Sequence, residues 1–320
     1  MAALALSVLL VCGALTGCSG MKNMVSGVAA AGEFPVKVGD VTISAKPQKV
    51  VVLSSNLADV VLALGYETQL AAGSDECTQA NLADLPKVSK DDAQAILDLS
   101  PDLVLTDVSN SGAVAALQAA NVTVLLVEPA TDREDFERMY SQVSSALAGG
   151  GAGYDAGVAQ AQDIFLVLDT INRIVPKDKV TTACYLYDLD GHAVTGDMFG
   201  STVMSYAGVT NVFKSETGGS YEFNSLKVSN PNLIFCPPGL ADELKKDSRF
   251  QSFQAVKNGK VVEMDPNLML WQGRTVIETA YEISGKAFPE LLEENSMKVT
   301  DPTEKIETEV SSALESALEE

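Results

Sequence analysis

A chain of 320 residues, 46% of them apolar and only 6% aromatic, is long enough for two domains of ordinary size and apolar enough to bury a core in each. Its formal net charge of −21 excludes a nucleic-acid surface, which needs a basic face to meet phosphate. The same charge keeps an exposed protein soluble.

The first fourteen residues after Met1, Ala2 through Leu15, are apolar or small without a break. That run is too short for a bilayer, which takes about 20 residues, and reads as the hydrophobic part of a signal peptide. It ends in Leu15-Thr16-Gly17-Cys18, which resembles a lipobox, so Cys18 is the expected lipid-bearing residue and 1–17 the removed signal peptide. A buried cysteine in a core helix is the alternative, but no polar face accompanies this run. No Lys or Arg precedes it, whereas signal peptides begin with positive charge, so the natural start is expected upstream of Met1. No later run approaches membrane length. Residues 18–34 are expected to be a linker.

From there the pattern alternates strand and helix. Residues 49–53 predict a buried strand, and 57–64 a helix opened by Ser54, Ser55 and Asn56 and closed by Gly65. Strands follow at 69–73, 103–107 and 122–127, with helices at 93–99, 112–120 and 132–147. Such alternation builds a parallel sheet with helices on both faces. After a glycine-rich stretch at 149–153, apolar residues from Val158 to Val175 recur at steps of three and four, predicting a helix over 153–176. Its length of roughly 33 Å suits a bridge between lobes. A second α/β unit over 177–292 has strands at 182–187, 233–236 and 261–264 and helices at 201–207 and 275–288. The expected domains are therefore 35–152, the bridge 153–176, and 177–292.

The two units echo each other. Ser100-Pro101-Asp102-Leu103-Val104-Leu105 matches Asn230-Pro231-Asn232-Leu233-Ile234-Phe235, a proline that ends a helix and launches a strand. The tail, 293–320, is acidic: positions 301–320 hold seven acids against Lys305. Ile306, Val310, Leu314 and Leu318 suggest a small amphipathic helix there, or a solvated appendage.

These motifs, with Lys49-Val50-Val51-Val52-Leu53-Ser54, Leu62-Ala63-Leu64-Gly65 and Ile277-Glu278-Thr279-Ala280-Tyr281-Glu282-Ile283, resemble the periplasmic binding family for iron-siderophores, haem and cobalamin over roughly residues 35–292. The resemblance implies two Rossmann-like lobes with parallel sheets joined by one long helix. It also implies a lipid-anchored, monomeric solute receptor without enzymatic activity or resident cofactor, presenting its ligand to an ABC permease and ATPase. Family members place a docking glutamate on each lobe; here those positions fall near Gln94 and Asn224, both uncharged amides. A sensing or surface lipoprotein uncoupled from an importer is the second expectation.

Ligands of open α/β sheets sit beyond the carboxyl ends of the strands. In the first lobe that rule selects Ser54, Ser55, Asn56, Asp75, Glu76, Cys77, Asp107, Ser109, Asn110 and Glu128. In the second it selects Tyr187, Asp188, His192, Thr195, Asp197, Met198, Pro237 to Gly239 and the loop from Asn267 to Arg274, with Met269 in it. Trp271, the sole tryptophan, offers a flat face to a large ligand, or else caps the sheet. Arg274 either grips an anionic group or holds an internal carboxylate. His192, the only histidine, is too little for a zinc site; it is either a turn residue or one axial haem ligand. The acids disfavour a strongly anionic ligand, so a corrinoid or a neutral to cationic ferric hydroxamate fits better. Cys184 and Cys236 lie in strand patterns and read as buried apolar residues, or as a disulfide if those strands are neighbours. No nucleotide-loop, hydrolase or zinc-protease motif is present.

Overall fold

A computed structural model describes residues 33–108 and 112–293. The signal segment, Cys18, Ser109, Asn110 and the acidic tail beyond 293 lie outside the described residues. The chain opens on an antiparallel hairpin, β1 (Val36–Val38) and β2 (Val41–Ile43), turned at Gly39, whose φ of +57° suits a residue without Cβ.

The first lobe then runs through β3 (Val50–Val52), α1 (Ser55–Ala63), β4 (Leu70–Ser74), β5 (Lys87–Val88), α2 (Ala93–Asp98), β6 (Leu103–Thr106), α3 (Val114–Ala119), β7 (Val124–Leu126) and α4 (Arg133–Ala148). Its sheet has the order β5-β4-β3-β6-β7, all parallel. All three residues of β3 and all four of β6 are buried, because helices cover both faces.

α5 (Gly150–Ile174) follows, 25 residues long, about 37 Å of helix. The second lobe comprises β8 (Thr181–Tyr185), α6 (Phe199–Tyr206), β9 (Val209–Asn211), α7 (Phe223–Ser229), β10 (Leu233–Cys236), α8 (Leu240–Lys246), α9 (Gln254–Lys257), β11 (Val261–Glu263), α10 (Thr275–Ala287) and α11 (Glu290–Glu293). Its sheet is also all parallel, in the order β11-β10-β8-β9.

Alternation along the strands sorts side chains between layers. Val50, Val52, Leu103 and Leu105 of the first sheet, and Ala183, Tyr185, Leu233 and Phe235 of the second, all feed one continuous core that α4, α5, α6 and α10 fill between them. Val51 and Val104 point into a separate outer layer, and Cys184 and Ile234 into another.

The glycine-rich stretch is not a flexible lead-in to the bridge. α5 begins three residues earlier than its apolar periodicity indicates, and its glycines form a packing face against α4. A Cβ at Gly153 would lie 2.7 Å from Ser144 O, and one at Gly157 2.5 Å from Tyr140 O. Hydrogen there lets the two helix backbones touch, with Ser144, Ser145 and Ala161 buried in the same seam.

The echoed proline motif has a structural purpose. Ser100 and Asn230 end α2 and α7 with φ of +52° and +41°, and the acid or amide after each proline staples the neighbouring strand. The Asp102 carboxylate accepts from the N–H groups of Gln48 and Lys49 at 2.7 and 3.0 Å, ahead of β3. Asn232 Oδ1 accepts from Thr182 N and Oγ1 at 2.9 and 3.0 Å, in β8.

β8 and β10 are neighbours, yet Cys184 and Cys236 are both buried free thiols. Burial raises the thiol pKa of each, Cys236 to about 12, so neither ionises readily.

Candidate ligand cleft between the lobes

Strand ends deliver the first wall. The chain leaves β3 at Ser54, which caps α1: its hydroxyl accepts from Leu57 N at 3.3 Å and donates to Asp107 at 2.8 Å, just beyond β6. Ser54 and Asp107 are thereby held beside Ser55 and Asn56 on a cavity of about 370 Å³, within the size range of small-ligand sites. Glu76, Lys90 and the segment Pro129-Ala130-Thr131 complete this wall. The second lobe supplies Asp197 and Met198 ahead of α6, Phe199 as the first residue of α6, and Met269, Leu270 and Gln272 after β11.

Beneath the floor lies an aromatic stack. Phe199 lies 5.0 Å from Phe136, which lies 4.5 Å from Tyr140. Phe136 also meets Phe165 of α5 edge-on at 5.2 Å. Rings from α4, α5 and α6 thus fix the cleft base.

A polar web welds the lobes at one end of the cleft. Gln272, only 4% exposed, accepts from Asn56 Nδ2 and Ala130 N through Oε1, at 3.2 and 2.9 Å. Its Nε2 donates to Ala130 O at 2.8 Å, and its backbone N–H to Asn56 Oδ1 at 2.7 Å. The Tyr140 hydroxyl donates to Gln272 O at 2.9 Å. Next door, Asp59 accepts from Gly273 N at 2.6 Å and from Thr275 Oγ1 at 3.0 Å. A Cβ at Gly273 would lie 2.4 Å from Asp59 O, so only glycine permits this approach. Burial pushes the Asp59 carboxyl up to about 6, against the pull of the Gly273 and Thr275 hydrogen bonds.

Charge within the cleft is mainly acidic: Glu76, Asp107 and Asp197 against Lys90. Lys90 forms an ion pair with Glu76, and that hydrogen bond raises the ammonium pKa. Asp197 accepts from Thr195 Oγ1 and Gly218 N, which lower its pKa and favour its charged form.

The structure therefore brings together Ser54, Ser55, Asn56, Glu76, Asp107 and Met269. Thr195 sits one layer behind, fully buried, positioning Asp197 and accepting from Gly219 N at 3.0 Å. Asp75 is exposed and lies off the cavity, its N–H spent on Val88 O. Tyr187 packs 5.1 Å from Tyr185, its hydroxyl buried without a partner. Trp271 and Arg274 turn away from the cleft into a separate depression of about 320 Å³ beside Leu62, Gln79 and Glu278. His192 occupies a turn, bonded to Asp188, and Cys77 is buried against Ser74 and Val52. Lys90, Pro129 to Thr131 and Phe199 are cleft residues that strand-end reasoning did not single out, whereas Gln272 belongs to the Asn267 to Arg274 loop that it selected. Lys90 follows β5, whose two residues carry too little pattern to mark a strand end.

Two parallel-sheet lobes, one long connecting helix and a cleft where both sets of strand ends meet define a solute-capturing receptor rather than a catalytic scaffold. The family comparison agrees: residues 50–268 match the periplasmic binding protein family model, and the chain belongs to that family. A relative in Bacillus subtilis, an uncharacterized ABC transporter substrate-binding lipoprotein, YvrC, is 25% identical over 283 residues, covering 82% of this chain and 88% of its own. Among solved structures, the periplasmic heme-binding protein HutB of Vibrio cholerae superposes with a TM-score of 0.66 at 16% identity, covering 76% of this chain and 99% of its own. The ABC-type Fe3+-hydroxamate transport protein of Saccharomonospora viridis gives 0.64 at 17% identity, covering 79% and 99%. The protein is thus a solute-binding protein of the periplasmic binding protein family. No helix among the described residues is long and apolar enough to cross a membrane.

Proposed function

We propose that this protein is anchored outside the cell membrane by a lipid on Cys18 and captures a neutral or cationic iron chelate of the hydroxamate type, or a corrinoid, for delivery to an ABC permease and ATPase. The cleft composition carries this reading. Glu76, Asp107 and Asp197 face the ligand space with Lys90 as their counterweight, over an apolar floor that includes Met198, Phe199, Met269 and Leu270. A strongly anionic catecholate or citrate complex meets unfavourable potential there. Haem, named for HutB, is less well served, because His192 lies on an exposed turn held by Asp188.

Gln94 and Asn224 are each the second residue of α2 and α7, the two helices that precede the echoed proline motif, and both are exposed. This symmetry supports their surroundings as the importer-facing contacts, with Asp91, Asp92 and Glu222 supplying charge nearby. Gln94 bonds Asp98 on its own helix, which favours a second reading, a sensing lipoprotein that no longer engages an importer. Permease and ATPase genes beside the coding region support import; their absence supports sensing.

The test is thermal unfolding of the unlipidated protein with cationic ferric hydroxamate, cobalamin, haem and ferric catecholate. A cognate ligand at a hundred times its Kd adds about 2.7 kcal/mol. Stabilisation by hydroxamate or cobalamin but not catecholate is expected; no response to any of the four overturns the proposal. Metabolic labelling with radioactive palmitate, lost in Cys18→Ala, tests the anchor.

A further inference from the structure

The three acids of the cleft are not equivalent. Glu76 is spent on Lys90 in an ion pair. Asp107 is only 8% exposed and accepts from the Ser54 hydroxyl. Asp197, on the second lobe, is exposed on the cleft wall, and among the described residues no cation pairs with it. Its carboxylate is nevertheless fixed from behind. Oδ1 accepts from the Thr195 hydroxyl at 2.6 Å and Oδ2 from Gly218 N at 2.8 Å. Thr195, fully buried, in turn accepts from Gly219 N at 3.0 Å.

Two glycines in the left-handed region, Gly218 at φ +76° and Gly219 at +68°, aim these successive N–H groups at the pair, a turn that residues with a Cβ adopt only at a cost. The backbone ahead of the acid is pinned as well. Gly196 N donates to Phe213 O and Glu216 O, and a Cβ at Gly196 would lie 2.0 Å from Lys214 O. The Thr195 and Gly218 hydrogen bonds lower the Asp197 pKa, so the group is charged at neutral pH. A carboxylate offers about four acceptor positions, so each oxygen keeps capacity for a further donor. Beside it the cleft is apolar: Met198 and Phe199 follow directly, and Met269 and Leu270, the latter 42% exposed, belong to the same wall. An apolar strip that ends on a fixed negative charge matches an alkyl chain that ends in an ammonium, its methylenes on thioether and ring and its N–H groups on the carboxylate. Binding groups held in this way by a buried supporting layer are pre-organised for their ligand.

Resting on the reading of this cleft as a chelate site, we infer that Asp197 is a specificity-determining residue that takes a protonated amino group carried on an aliphatic arm of the ligand, with Thr195 as its positioning residue. The cleft then distinguishes chelates of the same metal-binding chemistry by what hangs from them.

Calorimetric titration of the unlipidated full chain tests it with a matched pair of probes: a linear ferric trihydroxamate bearing a free terminal ammonium, and its N-acetylated, neutral form. The native protein is expected to bind the ammonium form about tenfold more tightly. Asp197→Asn should erase that preference while holding the acetylated form within about twofold of the native affinity. Thr195→Val should cut the preference to about threefold, and Thr195→Ser should restore it, because the hydroxyl that orients the acid returns. Equal native affinity for the two chelates overturns the inference. So does an equal loss for both in Asp197→Asn, which assigns the acid to bracing the Gly218 turn alone. A native protein that binds neither chelate overturns the chelate reading of the cleft itself, and the inference falls with it.

Discussion

Gln272→Ala tests the interlobe web most directly. The substitution leaves the backbone of residue 272 in place, so the bonds to Asn56 Oδ1 and from the Tyr140 hydroxyl survive. Three partners lose their counterpart: Asn56 Nδ2, Ala130 N and Ala130 O. An orphaned buried polar group costs about 1–3 kcal/mol. Gln272 borders the cleft, where water enters, so the low end applies and the sum is about 3 kcal/mol. For a protein of this size that is a fall in Tm of roughly 6–12 °C. Urea unfolding at neutral pH reads the change as a lower midpoint with unchanged slope. A loss below about 1 kcal/mol would mean that solvent replaces the web freely and that the lobes are held by apolar packing alone.

Asp59 makes stability depend on pH. Its pKa of about 6 lies above the ordinary 3.8, so the folded state binds this proton more tightly than the unfolded chain. That contribution is fully present below about pH 4 and is lost as pH rises through 6, a change on the order of 3 kcal/mol. Asp59→Asn should therefore gain stability over the native protein by about that much between pH 4 and 7.5; a constant difference refutes the assignment. A methyl at Gly157 (Gly157→Ala) meets Tyr140 O at 2.5 Å and should cost about 2 kcal/mol in chemical unfolding despite alanine's better helix propensity; a stabilised variant would mean the α4–α5 seam is looser than described. Asp102→Ala and Asn232→Ala should each cost about 1 kcal/mol and add within about 0.5 kcal/mol in the double variant, being in different lobes. A larger departure in unfolding measurements would show that the two strand staples are coupled.

The strands with buried runs, such as Val50–Val52 and Leu233–Cys236, were legible because burial on both faces leaves no polar residue to confuse the pattern. β1, β2 and β9 have three residues each, too few for periodicity to rise above neighbouring turns. The overlooked β5 concealed Lys90, since a strand end cannot be projected from an unseen strand. Glycine-rich sequence at 149–153 says that backbone freedom is available, not whether it serves a hinge or a close helix contact; the partner face on α4 decides that. Within the Asn267 to Arg274 loop, membership at the strand end was readable but direction was not. Met269, Leu270 and Gln272 turn to the cleft whereas Trp271 and Arg274 turn behind it, because Gly273 must pass against Asp59 and that contact fixes which side each neighbour takes.

The inner faces of both sheets drain into one shared core through α4, α5, α6 and α10. By architecture the molecule has two lobes, but in folding terms it has one cooperative unit. Neither half, expressed alone, retains the partner surface against which its inner strand residues are buried. Wide opening of the cleft would have to peel apart that packing, so capture and release must proceed by small adjustments at the rim, and heat should melt both lobes in a single transition.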